Sequence, residues 1–323
     1  MPSTSLPDDP LFDDRRVVLL ATGGTIAGTA ASATDTLGYR AAQIDVRELV
    51  QAVPSLAGMP LDAEQVAQLD SKDMDFDVML RLARRVAHHL AREEVAGIVV
   101  THGTDTLEET AWLLQRLLAP AKPVVLTGAM HPATALLADG PQNLVDAVGL
   151  AREPAAQRLG VVVVFGGRVF AAAQLRKRHA WRLDAFGGGD AAPLGEIVAG
   201  RVGPLQPAPP HAPALGLELF EPPWPWVEIL TSAAGADARV VEALVAAGVE
   251  GIVVAGTGNG TVHHRLEAAL LDAQARGVAV RRSTRVASGA VLDAAPQPIV
   301  ATRCATPVQA RIELMLEIAA GRR

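Results

Sequence analysis

Cysteine is nearly missing from this chain. One residue in 323, Cys304, carries a thiol, so an intrachain disulfide and a cysteine-based metal site are both excluded. The redox compartment is left open by the same count. Aromatic residues make up 3%, and Tyr39 is the one tyrosine, so any phenol chemistry rests on a single side chain. No apolar run approaches the roughly 18 residues needed to cross a bilayer, which predicts a soluble chain without a membrane partner. Positive charge is not in excess either. Lys+Arg total 29 against 35 Asp+Glu, for a net charge of −6, and the basic residues are scattered, which argues against nucleic acid as a partner. The amino terminus, MPSTSLPDDPLFDDRR, lacks the basic start and apolar core of a signal peptide. A cytoplasmic protein is expected, or a periplasmic one if a leader has been removed.

Apolar substance, by contrast, is plentiful. Half of the residues are hydrophobic, enough for a large core and more than one domain needs. Short β-branched runs alternate with helical spacing in both halves, the pattern of α/β layers with parallel sheets. The expected division is a mobile tail over 1–14 and an N-terminal catalytic domain over 15–203. A proline-rich linker over 204–226 and a smaller α/β domain over 227–323 follow. The larger domain should hold a mostly parallel sheet flanked by helices.

Three polar turns stand where a strand passes into a helix, the place where ligands bind in open α/β sheets. After Val17–Ala21 comes Thr22-Gly-Gly-Thr-Ile-Ala-Gly28, in which Gly24 lets the backbone approach a ligand and Thr25 is presented. After a predicted strand over Val66–Leu69 come Ser71 and Asp73, for which helix capping is the favoured reading. After Gly97–Val100 comes Thr101-His-Gly-Thr-Asp-Thr106, and Leu107, Ala111, Leu114 and Leu118 then recur at helical spacing. Glu108 and Glu109 fall in the first turn, where they suit the helix dipole.

Residues 29–40 can bury no face and read as a loop over the strand ends, either a lid delivering Tyr39 or a loop anchored by its one aromatic. Arg176, Lys177, Arg178 and Arg182, with His179 and Trp181, form the densest basic stretch. Spacing alone does not separate Lys177 from its neighbours.

Several chemistries fail on spacing. Gly256-Thr-Gly-Asn-Gly-Thr does not match the dinucleotide fingerprint, and no glycine-rich turn is followed by a Walker lysine. His88-His89 and His263-His264 are adjacent pairs, which cannot share a metal as an i, i+4 pair does, so no metal is expected. What remains is a set of hydroxyls, Thr25, Ser71 and Thr104, with Asp105 able to hold a cationic group. Threonine needs a nearby base to attack at neutral pH. The set fits acyl transfer from a small charged substrate, or a binding domain that uses the same hydroxyls only as ligands.

Ala21-Thr-Gly-Gly-Thr-Ile-Ala27 and Val100-Thr-His-Gly-Thr-Asp-Thr106 together resemble the paired signatures of bacterial-type L-asparaginases and glutaminase-asparaginases. Asp70-Ser-Lys-Asp-Met74, Lys122–Met130, Ala138–Leu144 and Gly256–Gly260 have counterparts as well. The resemblance implies hydrolysis of the side-chain amide of L-asparagine, without cofactor. L-glutamine stays open as a second substrate, as does a non-catalytic amino-acid binder or amidotransferase component.

Position by position, the resemblance makes Thr25 the nucleophile and Tyr39 the lid tyrosine. Thr104, Asp105 and Lys177 become a second catalytic group. Ser71 and Asp105 would hold the α-carboxylate and α-amino groups, with Gly24 and Ala129 also at the substrate. Asn259 would reach in from a neighbouring subunit, which implies a homotetramer built of intimate dimers. The chain departs from many members at His131 and Lys72, and shows no match after Ser288-Gly-Ala for a glutamate that some members supply across the interface.

Overall fold

Val17-Val18-Leu19-Leu20-Ala21 is apolar on both sides of an extended chain, and such a run is stable only when covered from two faces. In the computed structural model, which describes residues 15–322, it is buried within an eight-stranded sheet. The tail expected over residues 1–14 lies outside the described residues. In chain order the strands are β1 (Arg16–Gly23), β2 (Leu61–Leu69), β3 (Val95–Thr101), β4 (Val124–Thr127), β5 (Val161–Phe165), β6 (Arg168–Ala171), β7 (Arg176–Lys177), β8 (Phe186–Gly187), β9 (Gly195–Val198) and β10 (Arg201–Val202). The main sheet runs β10-β9-β6-β5-β4-β3-β1-β2, and β7 and β8 form a separate small ladder. Strands β2, β1, β3, β4 and β5 are parallel, whereas β6, β9 and β10 join antiparallel.

Helices cover both faces. Val18 and Leu20 point into one core with helices α2 (Phe76–Leu90) and α3 (Leu107–Leu118). Val17, Leu19 and Ala21 point into another with α1 (Val46–Gln51) and α4 (Gly140–Arg152). Capping sets where these helices start: Asp45 accepts from Arg47 N and Glu48 N, and Asp75 from Val78 N.

A second parallel sheet, β11 (Val227–Thr231), β12 (Gly251–Gly256) and β13 (Ala279–Thr284), forms the smaller domain. Helices α5 (Arg239–Ala246) and α6 (His264–Ala275) share one core with it, and α7 (Pro307–Gly321) packs between this sheet and α3. The two-domain α/β architecture read in the residues is the one observed.

Four local readings change. Strand β2 begins at Leu61 rather than Val66, because its polar residues are paired at the sheet edge. Asp62 meets Arg16 and Arg92, while Glu64 meets Arg85 and His89. Strands β6, β9 and β10 were not expected, each having four residues or fewer. Ser71 and Asp73 do not cap the following helix, whose N-cap is Asp75; they form a separate turn capped by Asp70. The proline-rich stretch is bonded to the larger domain. Leu215 N and Gly216 N donate to Arg116 O and Leu117 O, and Phe220 is buried against Phe76 and Trp224.

Candidate active site

Strand order 2-1-3-4-5 reverses direction between β1 and β3, and the crevice at the carboxyl ends of two such strands is where a ligand fits. Thr25 follows β1 and Thr104 follows β3. The two turns touch through glycine. A Cβ on Gly24, whose φ is +82°, would lie 2.5 Å from Gly103 Cα, and one on Gly103 would lie 2.3 Å from Ser71 Oγ. Both threonines are 6% exposed, at the floor of a cavity of about 430 Å³.

Five of the residues singled out in the sequence line this cavity: Thr25, Tyr39, Thr104, Asp105 and Lys177. They make two pairings. Thr25 Oγ1 lies 2.6 Å from Tyr39 OH. Lys177 Nζ donates to Thr104 Oγ1 at 2.9 Å and to Asp105 Oδ1 at 2.6 Å. Gly24, Ser71 and Ala129 are buried and are not among the residues lining the cavity, and Ser71 Oγ accepts the Asp105 N–H at 3.2 Å. Asn259 does not join them within this chain. Its amide is engaged with the main chain of Leu292, Nδ2 donating to the carbonyl at 2.7 Å and Oδ1 accepting the N–H at 2.8 Å.

The loop over 29–40 closes on itself and on its neighbours. Thr29 and Arg40 exchange backbone hydrogen bonds, and Leu136 N donates to Ala33 O. Asp35 accepts from Gly38 N and Leu37 N, bonds that hold its carboxyl below the usual range. That closure is what brings Tyr39, fourteen positions from Thr25 in the chain, onto its hydroxyl.

Buried hydrogen bonds support the Thr104 turn. His102 is fully buried, and burial pushes its pKa down to about 4, so it is neutral. Its Nδ1 pairs with Gly103 O at 2.7 Å and its Nε2 with Thr110 Oγ1 at 3.0 Å. Nδ1 therefore donates, and Nε2 accepts the threonine proton. On the opposite wall Asp139 accepts from Met130 N and His131 N, and Asn143 bonds Gly128 O and Asp139.

Residue types and spacing did not single out Glu108, His102 or Asp139. Glu108 accepts the backbone N–H of Lys177 at 3.0 Å, and burial pushes its carboxyl up to about 7 against the opposing pull of that bond. Its sequence signal, an acid in a helix's first turn, is one that many surface helices share. His131, Leu37 and Trp181 complete the mouth of the cavity. Among the described residues, no group of three or more His, Cys, Asp or Glu side chains could hold a metal ion. No described helix is long and apolar enough to cross a membrane.

Paired hydroxyls of this kind can attack a carbonyl, and the cavity is of a size for a small polar molecule. Comparison with known proteins agrees. The family model "Asparaginase, N-terminal" matches residues 16–209, and the model "Glutaminase/Asparaginase C-terminal domain" matches 226–323. The chain is 37% identical to L-asparaginase 2 of Bacillus subtilis over 93% of its own length and 81% of that protein's. It is 38% identical to a glutaminase-asparaginase of Pseudomonas fluorescens biotype A, over 87% and 79%. A crystal structure of a "probable cytoplasmic L-asparaginase" from Campylobacter jejuni superposes with a TM-score of 0.88 at 37% identity, covering 94% of this chain and 95% of that one.

Proposed function

The chain belongs to the asparaginase family over both of its domains, and on that premise we propose that it is an L-asparaginase, an amidohydrolase converting L-asparagine to L-aspartate and ammonia. One observation carries the reading. A threonine–tyrosine pair and a threonine–lysine–aspartate group converge on one small cavity at the switch point of the sheet.

In this reading Thr25 Oγ1 attacks the side-chain amide carbon while its proton moves to Tyr39 OH, 2.6 Å away, and Tyr39 releases its own phenol proton toward the leaving nitrogen. Collapse of the tetrahedral adduct expels ammonia, which takes up a proton on leaving. The substrate's acyl group stays as an ester on Thr25. Water then adds to that ester, the bond to Thr25 breaks, and aspartate departs with the threonine hydroxyl restored. Thr104 and Lys177 relay the protons that the leaving nitrogen and the incoming water exchange. Hydrolysis of this kind uses water alone, so no cofactor enters the proposal.

Substrate orientation follows from charge. Asp105 gives one carboxylate oxygen to Lys177 and has the other for the α-ammonium group. Ser71 accepts the Asp105 N–H and keeps its own proton for the α-carboxylate. Gly24 and Ala129 leave room for the chain between these groups.

The proposal extends to assembly and compartment. Leu37, Leu136, Leu137 and Trp181 are 79%, 78%, 70% and 64% exposed around the lid and cavity mouth, a concentration of apolar surface that supports burial between subunits. We assign a homotetramer of intimate dimers in which the turn carrying Asn259 approaches a neighbour's site; a monomer in sedimentation experiments would overturn it. The name of the Campylobacter jejuni structure supports a cytoplasmic assignment, tested by cell fractionation.

A glutaminase-asparaginase is the second reading, favoured by the Pseudomonas fluorescens relative. The ratio of kcat/KM for L-asparagine to that for L-glutamine separates the two. A ratio above about tenfold supports the asparaginase, and a ratio near unity the dual enzyme. Aspartate binding in calorimetry with turnover of neither amide would leave an amino-acid binder.

A further inference from the structure

We infer that Glu108 is a positioning residue for Lys177, clamping its main chain to the same helix turn that receives its side-chain nitrogen. This rests on the role given to Lys177 above and adds a residue to it.

Strand β7 has two residues, and its one partner, β8, also has two. So short a ladder cannot by itself fix where a side chain ends. A lysine multiplies the difficulty, because its flexible four-carbon stem has many rotamers to restrict. A small shift or rotation of the backbone at Lys177 would carry Nζ off Thr104.

The arrangement supplies the missing restraint. In the antiparallel ladder Lys177 faces Phe186, and its N–H points away from β8. It donates instead to Glu108 Oε2 at 3.0 Å. Thr104 and Asp105, which take the hydrogen bonds of Nζ, lie four and three positions before Glu108 at the start of α3. Both ends of one lysine are therefore held by a single turn of chain. The neighbouring Arg176 adds a second strut, its Nη1 donating to Val286 O at 3.2 Å and Ala287 O at 2.6 Å in the smaller domain.

The environment of Glu108 marks this as more than incidental contact. A largely buried carboxyl is costly unless satisfied, and among the described residues the Lys177 N–H is the hydrogen-bond donor it has. The charges that face it are Glu109 on its own helix and Arg176 and Lys177 on β7. A dipole-stabilising acid would sit in solvent. This one points inward onto the strand that bears the lysine.

The test uses the full-length protein, the variants Glu108→Ala, Glu108→Gln and Glu108→Asp, and two readouts. Steady-state ammonia release from L-asparagine should show Glu108→Ala with kcat lowered about 10- to 100-fold and KM within about threefold of the parent. Glu108→Gln retains a carbonyl acceptor for the Lys177 N–H and should recover kcat to within about fivefold. The second readout does not need turnover. The chain has three lysines, Lys72, Lys122 and Lys177, so reductive methylation followed by peptide mass spectrometry reads each separately. Labelling of Lys177 relative to the exposed Lys72 should rise at least about threefold in Glu108→Ala and stay at the parent ratio in Glu108→Gln.

Parent-like kcat and parent-like labelling in Glu108→Ala would overturn the inference, as would Glu108→Gln being as impaired as Glu108→Ala. If Glu108→Ala does not fold, Glu108→Asp decides. It keeps the charge but draws it back by one methylene, so a lowered kcat supports the clamp and a parent-like kcat overturns it. A parent that releases no ammonia removes the asparaginase reading itself. The labelling ratio still reports on the clamp in that case, so the two failures are told apart.

Discussion

Thr25 Oγ1 and Tyr39 OH lie 2.6 Å apart, the hydroxyl at the end of the first strand and the chain's single phenol brought together by closure of the loop between them. A pair at that distance can share the proton that Thr25 must lose. Tyr39→Phe keeps the ring in the lid and removes the oxygen. It should lower kcat by about 10² to 10³ while leaving KM for L-asparagine within a few-fold. Steady-state kinetics of the two proteins checks this, and unchanged kcat would remove Tyr39 from the proton path.

Lys177→Met preserves the stem and deletes the donor to Thr104 and Asp105. Turnover should fall by about 10³ or more. Thr25→Ala should lose turnover equally but still bind L-aspartate, because Asp105 and Ser71 are untouched. Calorimetric titration of both variants with aspartate separates the roles, and equal loss of binding in both would contradict them.

Ser71→Ala removes the acceptor of the Asp105 N–H and the hydroxyl assigned to the substrate carboxylate. KM for L-asparagine should rise at least about tenfold with a smaller change in kcat, since the lost contact is made in ground and transition states alike. Gly103→Ala should have a similar effect by a steric route, because its Cβ would come 2.3 Å from Ser71 Oγ.

Much of this was legible in the residues, and the limits have physical causes. β-branched runs ending in glycine-rich turns placed Thr25 and Thr104 at strand ends, because a strand buried on both faces admits few other residue types. The start of β2 was hidden since Asp62 and Glu64 are made tolerable by arginines that come from elsewhere in the chain. Lys177 was one basic residue among several. What distinguishes it is contact with residues over seventy positions away, which came into view from family resemblance and from the fold. Glu108 looked like an ordinary first-turn acid for the same reason. Asn259 was matched to a neighbour's site, whereas within its own chain its amide ties down the backbone of Leu292.

Stability should depend on Glu108 in a definite direction. Burial raises its carboxyl from an ordinary 4.5 to about 7, so the folded chain keeps a proton that the unfolded chain has released. The stabilising contribution is full below about pH 4.5 and is lost as pH rises to about 7. Glu108→Gln has no such loss. Its stability relative to the parent should therefore improve by about 1 to 3 kcal/mol between roughly pH 5 and pH 8. Denaturant unfolding of both proteins at the two pH values measures this, and a constant difference would contradict it.

The most direct test is ammonia release from L-asparagine by the purified full-length chain beside its Thr25→Ala variant. The account predicts one ammonia and one L-aspartate for each asparagine consumed, with release by the variant reduced by at least about 10³. No ammonia from the parent, or a Thr25→Ala variant as active as the parent, would contradict it.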